Sequence, residues 1–542
     1  MSKEKENFCL IIFFALALGV LADFLFYQKP IGVSFFIFNS IIIIFSLILA
    51  KKFKLKLSKS QIFILVSILL FSAGVFLRSS SFLTFFNVIG SAYLSLFFFA
   101  LFLNKNILNF EFLKYLTVPI SFFLKFFSAA ARLFEKYKNI IPENGKIGSK
   151  EFRSVIKGFI IAAPFLIILF WLLSSADLVF QSYAERFIKI NLDIEAISRA
   201  LKILVVSYFF IGIFSKIAEG EKSENIKKET KENKVLGFIE SSTVLVLVEL
   251  LFLAFIAVQF FYLFGGKDYV WGIDEYITYS EYAKNGFYEL IAAAIISFLL
   301  IYGLDKFGKK ESAKEKKIFK ILSAVLILEM SVIIFSAFTR LSVYTDGYGL
   351  TFSRFLAFAF LCWIFFVVTI FLYKIFKEKR ESIFLFSIFS LSIIFWAGIN
   401  VINPDAFIAR ENMERLAQGK KLDQFYLFRL SIDAIPETVK IFQMNADEKV
   451  KEEIAVSLYW RYDFPPDYSH CYDLSQCPPV PFREKLKYAE EKQTWQSFNL
   501  SESKALSALW ENYDEIVKYQ EKYWEEEKKR REDGNEKLWG EM

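Results

Sequence analysis

The sequence predicts an all-α fold: a polytopic α-helical membrane protein of about eleven transmembrane helices with a C-terminal exoplasmic helical domain. Composition is the first observation, since 55% of the 542 residues are hydrophobic, 19% are aromatic and mean hydropathy is +0.39. Soluble globular chains are less apolar. The second observation is that the apolar residues form runs of about 20 positions, the length that crosses a bilayer. Finally, no segment shows the two-residue alternation of β-strands.

Eleven apolar runs are long enough to span the hydrocarbon core, and together they predict a transmembrane domain over residues 1–402. They lie near residues 8–27, 31–50, 61–77, 82–103, 156–173, 200–217, 239–264, 287–304, 319–339, 352–373 and 382–402. Residues 112–137 differ, because Pro119 and several basic residues interrupt the apolar pattern. We predict that this segment is an amphipathic helix at the membrane surface.

Lys and Arg residues are distributed unevenly between alternate loops. The loops on one predicted side carry 32 of them, and the loops on the other side carry 9. Because short cytoplasmic loops are enriched in Lys and Arg, the N-terminus is predicted to be cytoplasmic. An odd number of spans then places residues 403–542 on the exoplasmic side of the plasma membrane.

The C-terminal domain has a different composition, with 21 Lys and Arg against 28 Asp and Glu in residues 403–542. Its first helix is predicted to begin at Asn403 and Pro404, an N-cap residue followed by a first-turn proline, and to end at Gly419. Apolar residues at three-to-four spacing predict one long final helix over residues 500–531. A soluble helical domain of this kind could bind other envelope proteins.

The residue types exclude several kinds of chemistry. His470 is the single histidine, so the sequence contains no HExxH zinc motif and no Ser-His-Asp triad. It also contains no glycine-rich nucleotide-binding loop. We therefore predict no metal site and no cofactor. The net charge of +7 comes from basic cytoplasmic loops and indicates no nucleic-acid partner.

Two cysteines test the predicted orientation. Cys471 and Cys477 lie in a proline-rich part of the tail, with five residues between them. An exoplasmic tail meets an oxidising compartment, where such a pair forms a disulfide. Two free thiols are the alternative. A metal site that includes His470 is a further alternative, although a fourth ligand is missing.

Six short strings in the second half of the chain carry a family resemblance. They are SSADLVF at 174–180, TYSEYAKNGFYEL at 278–290, RLSVYTDGYGLT at 340–351, NPDAFIAREN at 403–412, LDQFYLFRLSIDAIP at 422–436 and WQSFNLS at 495–501. As a group they resemble the bacterial membrane-protein family named domain of unknown function 4173. The resemblance covers residues 174–501 and implies a multi-pass protein of the bacterial inner membrane, with no activity that transfers to this chain.

The predicted topology collects polar and aromatic residues at the outer surface. They are Asp177, Tyr279, Glu281, Tyr282, Tyr344, Asp346, Tyr348, Arg354, Asn403, Asp405 and Arg410. Arginine forks and aromatic faces suit an anionic or glycan-like ligand. The alternative, which we favour, is an aromatic belt with salt bridges that holds the outer helix ends and seats the tail.

A second set of candidate residues lies deeper. Glu249 and Glu329 are each about ten residues from the ends of their spans, near the bilayer midplane, where charge is costly. Arg340 follows Glu329 by three helical turns on the same face, and Glu289 lies in the first turn of another span. These four residues form a hypothetical ligand or proton path. Protonated glutamates that hydrogen-bond between helices are the alternative.

Three classes of function fit these observations. The first is a non-enzymatic envelope protein that binds, senses or assembles through its outer face and tail, and it is the one we favour. The second is a proton- or cation-coupled secondary transporter that uses the midplane glutamates. The third is an envelope enzyme that acts on lipid-linked substrates, although no catalytic residues can be named for it. The lipid bilayer is the partner common to all three.

Overall fold

The structure, a computed structural model, describes most of the chain. The described residues are 3–102, 107, 110–136, 173, 177, 194–219, 236–264, 287–418, 420, 426–427, 429–444, 447–462 and 480–532. Every regular element in these ranges is helical, and one isolated bridge joins Leu236 to Gly308. The predicted all-α fold is therefore confirmed.

The helices form two compact units. The first unit consists of Met1–Leu77, Phe82–Glu224 and Glu491–Leu500. Its described helices are α1 (Lys3–Phe26), α2 (Val33–Lys52), α3 (Lys59–Leu77), α4 (Ser81–Leu101), α5 (Phe112–Lys136) and α6 (Ile194–Glu219). Helix α6 packs against α1, α2 and α5. Helix α5 coincides with the predicted amphipathic helix, and its position at the membrane surface stays a prediction.

Polar contacts hold the first unit together within its apolar helices. The Ser72 and Ser91 hydroxyls lie 3.1 Å apart, and Ser91 donates to Asn39 Oδ1 at 3.4 Å, so α2, α3 and α4 share one buried network. Such interhelical hydrogen bonds stabilise helix packing in lipid. Asp23 on α1 accepts two hydrogen bonds from Arg199 on α6, at 2.7 and 3.0 Å.

Part of the predicted tail also belongs to the first unit. The backbone amide of Val33 donates to Phe498 O, and the amide of Ser34 donates to Gln496 O, both at 3.0 Å. These bonds satisfy amides at the start of α2 that have no partner within the helix. Gly32 is required at this point, because a Cβ atom there would lie 2.4 Å from the Ser497 carbonyl carbon.

The second unit consists of Arg78–Ser81, Asn225–Glu490 and Ser501–Met542. Its membrane helices are α7 (Phe238–Phe264), α8 (Phe287–Phe307), α9 (Ala313–Tyr348), α10 (Phe352–Lys377) and α11 (Glu381–Ile402). Its other helices are α12 (Pro404–Ala417), a 3-10 turn (Ile432–Ala434), α13 (Ile435–Met444), α14 (Glu448–Trp460), α15 (Phe482–Lys492), α16 (Leu500–Glu511) and α17 (Tyr513–Glu532). Helix α9 packs against α7, α8 and α10, while α12 packs against α10, α11 and α13.

Among the described residues, ten helices are long and apolar enough to cross a membrane, and they coincide with ten of the eleven predicted spans. The protein is thus a multi-pass membrane protein. The eleventh predicted span, residues 156–173, lies outside the described residues except for Leu173. The predicted division into domains at residue 403 stays a prediction.

The tail differs from its prediction at one point. The single helix predicted over residues 500–531 is two helices, α16 and α17, separated at Asn512. The side-chain amide of Asn512 donates to Ala508 O at 2.8 Å. Asparagine side chains compete with the backbone for such bonds, which explains why the helix ends there although the apolar spacing continues.

Candidate functional site

An asparagine of α12 forms two hydrogen bonds with the backbone of the turn between α9 and α10. Asn412 accepts from the amide of Leu350 and donates to its carbonyl oxygen, both at 2.9 Å, and both residues are buried. Gly349 ends α9 with φ of +83°, a conformation that favours glycine. A Cβ atom on Gly349 would also lie 3.0 Å from Asn412 Oδ1. Asn412 and Gly349 therefore fix where α12 crosses the helix ends.

Arg415 of α12 caps the end of α9. Its guanidinium group donates to the carbonyl oxygens of Thr345, at 2.6 Å, and Asp346. The Thr345 carbonyl oxygen also accepts from the Gly349 amide at 2.8 Å, so Arg415 adds a side-chain donor to the carbonyl groups at the carboxyl end of α9. The Asp346 carboxylate forms an ion pair with Lys420 just beyond α12. Both charges at this helix end are thus engaged.

Asp433 seats the 78–81 turn. The buried carboxylate accepts from the Ser79 amide and hydroxyl, each at 2.8 Å, and from the Ser80 amide at 3.1 Å. Arg78 donates to the Asn400 and Val401 carbonyl oxygens at the end of α11, at 2.6 and 3.1 Å. Burial lowers the pKa of Arg78, and the charge of Asp433 opposes that change.

Asp405 and Arg461 form a buried charge cluster. Asp405, in the first turn of α12, accepts from the Ser431 hydroxyl, and Arg461 donates to the Leu427 carbonyl oxygen. Burial lowers the pKa of Arg461 to about 10, although the Asp405 charge opposes the change. Burial also raises the pKa of Asp405, against its hydrogen bond from Ser431. Desolvation therefore outweighs pairing for both groups.

The raised pKa of Asp405 predicts a pH dependence of stability. The pKa of Asp405 in the folded protein lies above the ordinary value of 3.8, so folding favours the protonated carboxyl group. The resulting contribution to the free energy of unfolding is fully present below pH 3.8 and is lost as pH rises through the folded pKa. Asp405→Asn, which keeps an acceptor for Ser431, should remove this dependence. The measurement is the thermal midpoint of both proteins between pH 4 and 8. A wild-type minus variant difference that does not change with pH would contradict the prediction.

Helices α9 to α12 line an apolar groove with a volume of about 900 Å³. We call it the roofed groove, because α12 crosses one end of it. Its walls on α10 run from Phe355 to Phe366, and its walls on α11 run from Leu391 to Ile402. Each wall covers twelve positions, so its first and last residues lie about 16 Å apart at the helical rise of about 1.5 Å per residue. Half of a bilayer's hydrocarbon core is about 15 Å.

The polar end of the roofed groove lies under α12. Glu411, Glu414, Arg415 and Gln418 line it there. Arg415 is engaged with the end of α9, whereas no ion pair or hydrogen bond occupies the carboxylates of Glu411 and Glu414 among the described residues. The groove is therefore apolar along most of its length, and the two carboxylates at its end outnumber the one guanidinium group there.

A smaller cavity of about 300 Å³ lies on the other side of the α9–α10 turn. Tyr344, Arg354 and Tyr426 line it. The Arg354 guanidinium group lies over the Tyr344 ring, 4.1 Å from its centroid, and donates to Gly349 O. Stacking and the hydrogen bond hold the guanidinium group in place beside the α9–α10 turn.

The structure brings several predicted outer-face residues together and separates others. Tyr344, Asp346, Tyr348 and Arg354 surround the α9–α10 turn, with the two tyrosine rings 5.1 Å apart. The remaining described residues lie elsewhere. Asn403 ends α11 with φ of +57°, Asp405 is in the cluster with Ser431, Arg410 stacks on Phe407, and Asp177 belongs to the first unit.

Other predicted site residues lie outside the described residues: Tyr279, Glu281, Tyr282, Cys471 and Cys477. Within the described part of the chain, no group of three or more His, Cys, Asp or Glu side chains could hold a metal ion. Glu289 is exposed in the first turn of α8, and Arg340 is half-buried on α9. The roles predicted for all these residues stay predictions.

The two midplane glutamates do meet. Glu249 on α7 and Glu329 on α9 lie on contacting helices, with 8% and 5% of their surface exposed, and their carboxyl groups interact electrostatically. Oε1 of Glu249 and both carboxyl oxygens of Glu329 have no hydrogen-bond partner among the described residues. Two buried carboxyl groups without partners are costly, so this pair is the second candidate site.

One polar network was not predicted from the sequence. Asp305 on α8 forms ion pairs with Lys310 and with Lys374 on α10, each at 2.7 Å. Glu381, the first residue of α11, pairs with Lys306 at 2.9 Å. The sequence did contain a signal for this network, because Asp305 and Glu381 are acidic residues within strongly basic loops. Lysines in such loops can pair with carboxylates as well as determine topology. Its bonds are satisfied, so the network is structural.

Comparison with known proteins gives a family and no activity. The family described as Domain of unknown function (DUF4153) matches residues 65–441, which include α7 to α12 and therefore both candidate sites. The family named from the sequence strings, domain of unknown function 4173, is not the one that matches. No curated protein and no solved structure matches this chain. Because the match covers more than half of the residues, the chain belongs to the DUF4153 family.

Proposed function

We propose that this protein is a non-enzymatic component of the bacterial plasma membrane that binds a phospholipid in the roofed groove. The observation that carries this proposal is the groove itself, which is apolar over the depth of one leaflet and ends beneath polar residues of α12. Sites for small molecules are typically apolar cavities of about 300–1,000 Å³ with a few polar groups at one end. A phospholipid has the same division between chain and headgroup.

The charge at the groove end supports a particular headgroup. Glu411 and Glu414 carry negative charge without a partner among the described residues, whereas Lys420 neutralises Asp346. A primary ammonium group would supply both charge and hydrogen-bond donors, as Lys does in proteins. Because the two carboxylates outnumber the Arg415 guanidinium group, the groove end should bind an anionic headgroup less well than a zwitterionic one. Phosphatidylethanolamine is therefore the ligand we propose, in preference to phosphatidylglycerol.

The test uses a glycine that faces the groove. Gly398 on α11 lines the groove, and no atom lies within 4 Å of a Cβ placed there, so the side chain of Gly398→Trp has room to begin there and should occupy part of the groove. Gly303 on α8 is equally open and does not line the groove, so Gly303→Trp is the matched control. Native mass spectrometry of detergent-purified protein would count retained phosphatidylethanolamine and phosphatidylglycerol.

We expect wild type and Gly303→Trp to retain phosphatidylethanolamine in several-fold excess over phosphatidylglycerol, and Gly398→Trp to retain little of either. The effect is limited to several-fold because lipid tails are as apolar as the groove, so only packing and headgroup contacts favour binding. Equal retention by both tryptophan variants would contradict binding in the groove. Equal retention of the two lipids would contradict the headgroup assignment alone.

Orientation and partners complete the proposal. The bias of loop charge supports a cytoplasmic N-terminus and an exoplasmic tail, where α12 would meet the outer leaflet. The tail could then report lipid occupancy to other envelope proteins. The alternative that the protein is an envelope enzyme acting on lipid-linked substrates stays a hypothesis, and no catalytic residue is assigned to it.

A further inference from the structure

The Glu249–Glu329 pair has an unusual environment. The helices packed against α7 and α9 place their other charged groups near the ends of the spans: Glu240 on α7, Glu289, Asp305 and Lys306 on α8, Arg354 and Lys374 on α10. Cys362 is the titratable group of α10 nearest the middle of that helix. No described lysine or arginine lies at the depth of the two glutamates. No basic side chain in the described part of the chain therefore neutralises the pair.

The hydrogen bonds expected of simple structural glutamates are missing. Protonated carboxyl groups that join two helices would donate to each other or to a backbone carbonyl group. Here three of the four carboxyl oxygens have no partner in the part of the chain that the structure describes, although both residues are more than nine-tenths buried. Their lone pairs are available to a ligand, and carboxylate oxygens are preferred ligands of hard cations.

Two serine hydroxyl groups lie on the same helix faces as the two glutamates. The Ser336 hydroxyl, seven residues after Glu329, and the Ser242 hydroxyl, seven residues before Glu249, are buried without hydrogen-bond partners. A spacing of seven keeps each serine on the same helix face as its glutamate, about 10 Å along the axis. Since α7 and α9 are both predicted to run outward, the serines lie toward opposite surfaces.

We propose that Glu249 and Glu329 form one exchange site that holds either two protons or one proton and one small monovalent cation. Both states are neutral, because two carboxylates then face two positive charges. Cation binding at the two carboxyl groups releases one proton, so charge balances in each direction. The inference is independent of lipid binding in the roofed groove. A divalent cation fits less well, since it retains water and the pair offers few ligands.

Proton release provides the test. Purified protein in weakly buffered detergent solution receives NaCl, KCl or LiCl, and a pH-indicator dye reports the protons released relative to choline chloride. We expect release that approaches one proton per chain for at least one of the three salts. Glu249→Gln and Glu329→Gln should each abolish it, and Glu240→Gln, an exposed glutamate of the same helix, should not.

A second measurement keeps the proposal testable if the glutamine variants do not fold. A hydrophobic carbodiimide modifies protonated carboxyl groups in apolar surroundings, and the active salt should slow modification of Glu249 and Glu329 in the wild-type protein. Wild-type protein that releases no proton above the choline control would overturn the proposal. Release that persists in both folded glutamine variants, or that occurs with CaCl2 alone, would overturn it as well.

Discussion

Replacement of Asp433 by alanine is expected to destabilise the contact between the 78–81 turn and the 3-10 turn by about 3–4 kcal/mol. The buried carboxylate, with 3% of its surface exposed, accepts three hydrogen bonds from Ser79 and Ser80. Alanine leaves two backbone amides and one hydroxyl without an acceptor. It also removes the charge that opposes the lowered pKa of Arg78.

Hydrogen exchange at the Ser79 and Ser80 amides measures this effect directly. A loss of about 3–4 kcal/mol corresponds to exchange about 10²–10³-fold faster, at tenfold per 1.4 kcal/mol. Asp433→Asn keeps one carbonyl acceptor and should lose less, about 1–2 kcal/mol. Asp514→Ala removes an exposed carboxylate of α17 and should leave the turn protected. Unchanged exchange in Asp433→Ala would show that water replaces the carboxylate without cost.

Asn412→Ala is expected to cost about 2–4 kcal/mol, because it leaves the buried amide and carbonyl groups of Leu350 without partners. Since α12 forms the roof of the groove, the same substitution should also lower the amount of retained phosphatidylethanolamine. Thermal unfolding and native mass spectrometry report the two effects. Both should appear together if the seat of α12 and the groove end are one assembly.

Two controls separate this effect from a general weakening of α12. Arg410→Ala removes an exposed side chain that stacks on Phe407 at 5.4 Å, and such a contact contributes about 0.5–1 kcal/mol. Asn412→Asp keeps an acceptor for the Leu350 amide but cannot donate to the Leu350 carbonyl oxygen. We expect intermediate stability for Asn412→Asp. Full stability of Asn412→Ala would mean that the α9–α10 turn does not depend on α12.

Membrane class and span positions could be predicted because their causes are local. Each described span is an apolar run whose length matches the bilayer, and ten of the eleven predicted runs are helices of spanning length. The start of α12 at Pro404 has an equally local cause in its N-cap and first-turn residues. The break at Asn512 was missed because a side-chain bond to the backbone overrides apolar spacing.

The candidate sites were only partly predictable. Charge cost alone identified Glu249 and Glu329, since a carboxyl group in the middle of an apolar run is expensive wherever the helix lies. Their contact depends on how α7 packs against α9, which no local pattern specifies. Several residues of the predicted outer-face cluster, among them Tyr344, Tyr348 and Arg354, lie near helix ends, and their role stays a prediction. Which of them face one another depended on packing.

The sequence by itself determined that this chain crosses the membrane repeatedly, where the spans lie and which residues are costly to bury. Tertiary structure alone decided that α12 covers the end of an apolar groove, and that Asn412 and Asp433 hold distant turns. Hydropathy and capping act within about one helical turn or span, so a sequence displays them directly. Grooves and shared hydrogen bonds arise between segments far apart in the chain, and packing of whole helices determines which segments meet.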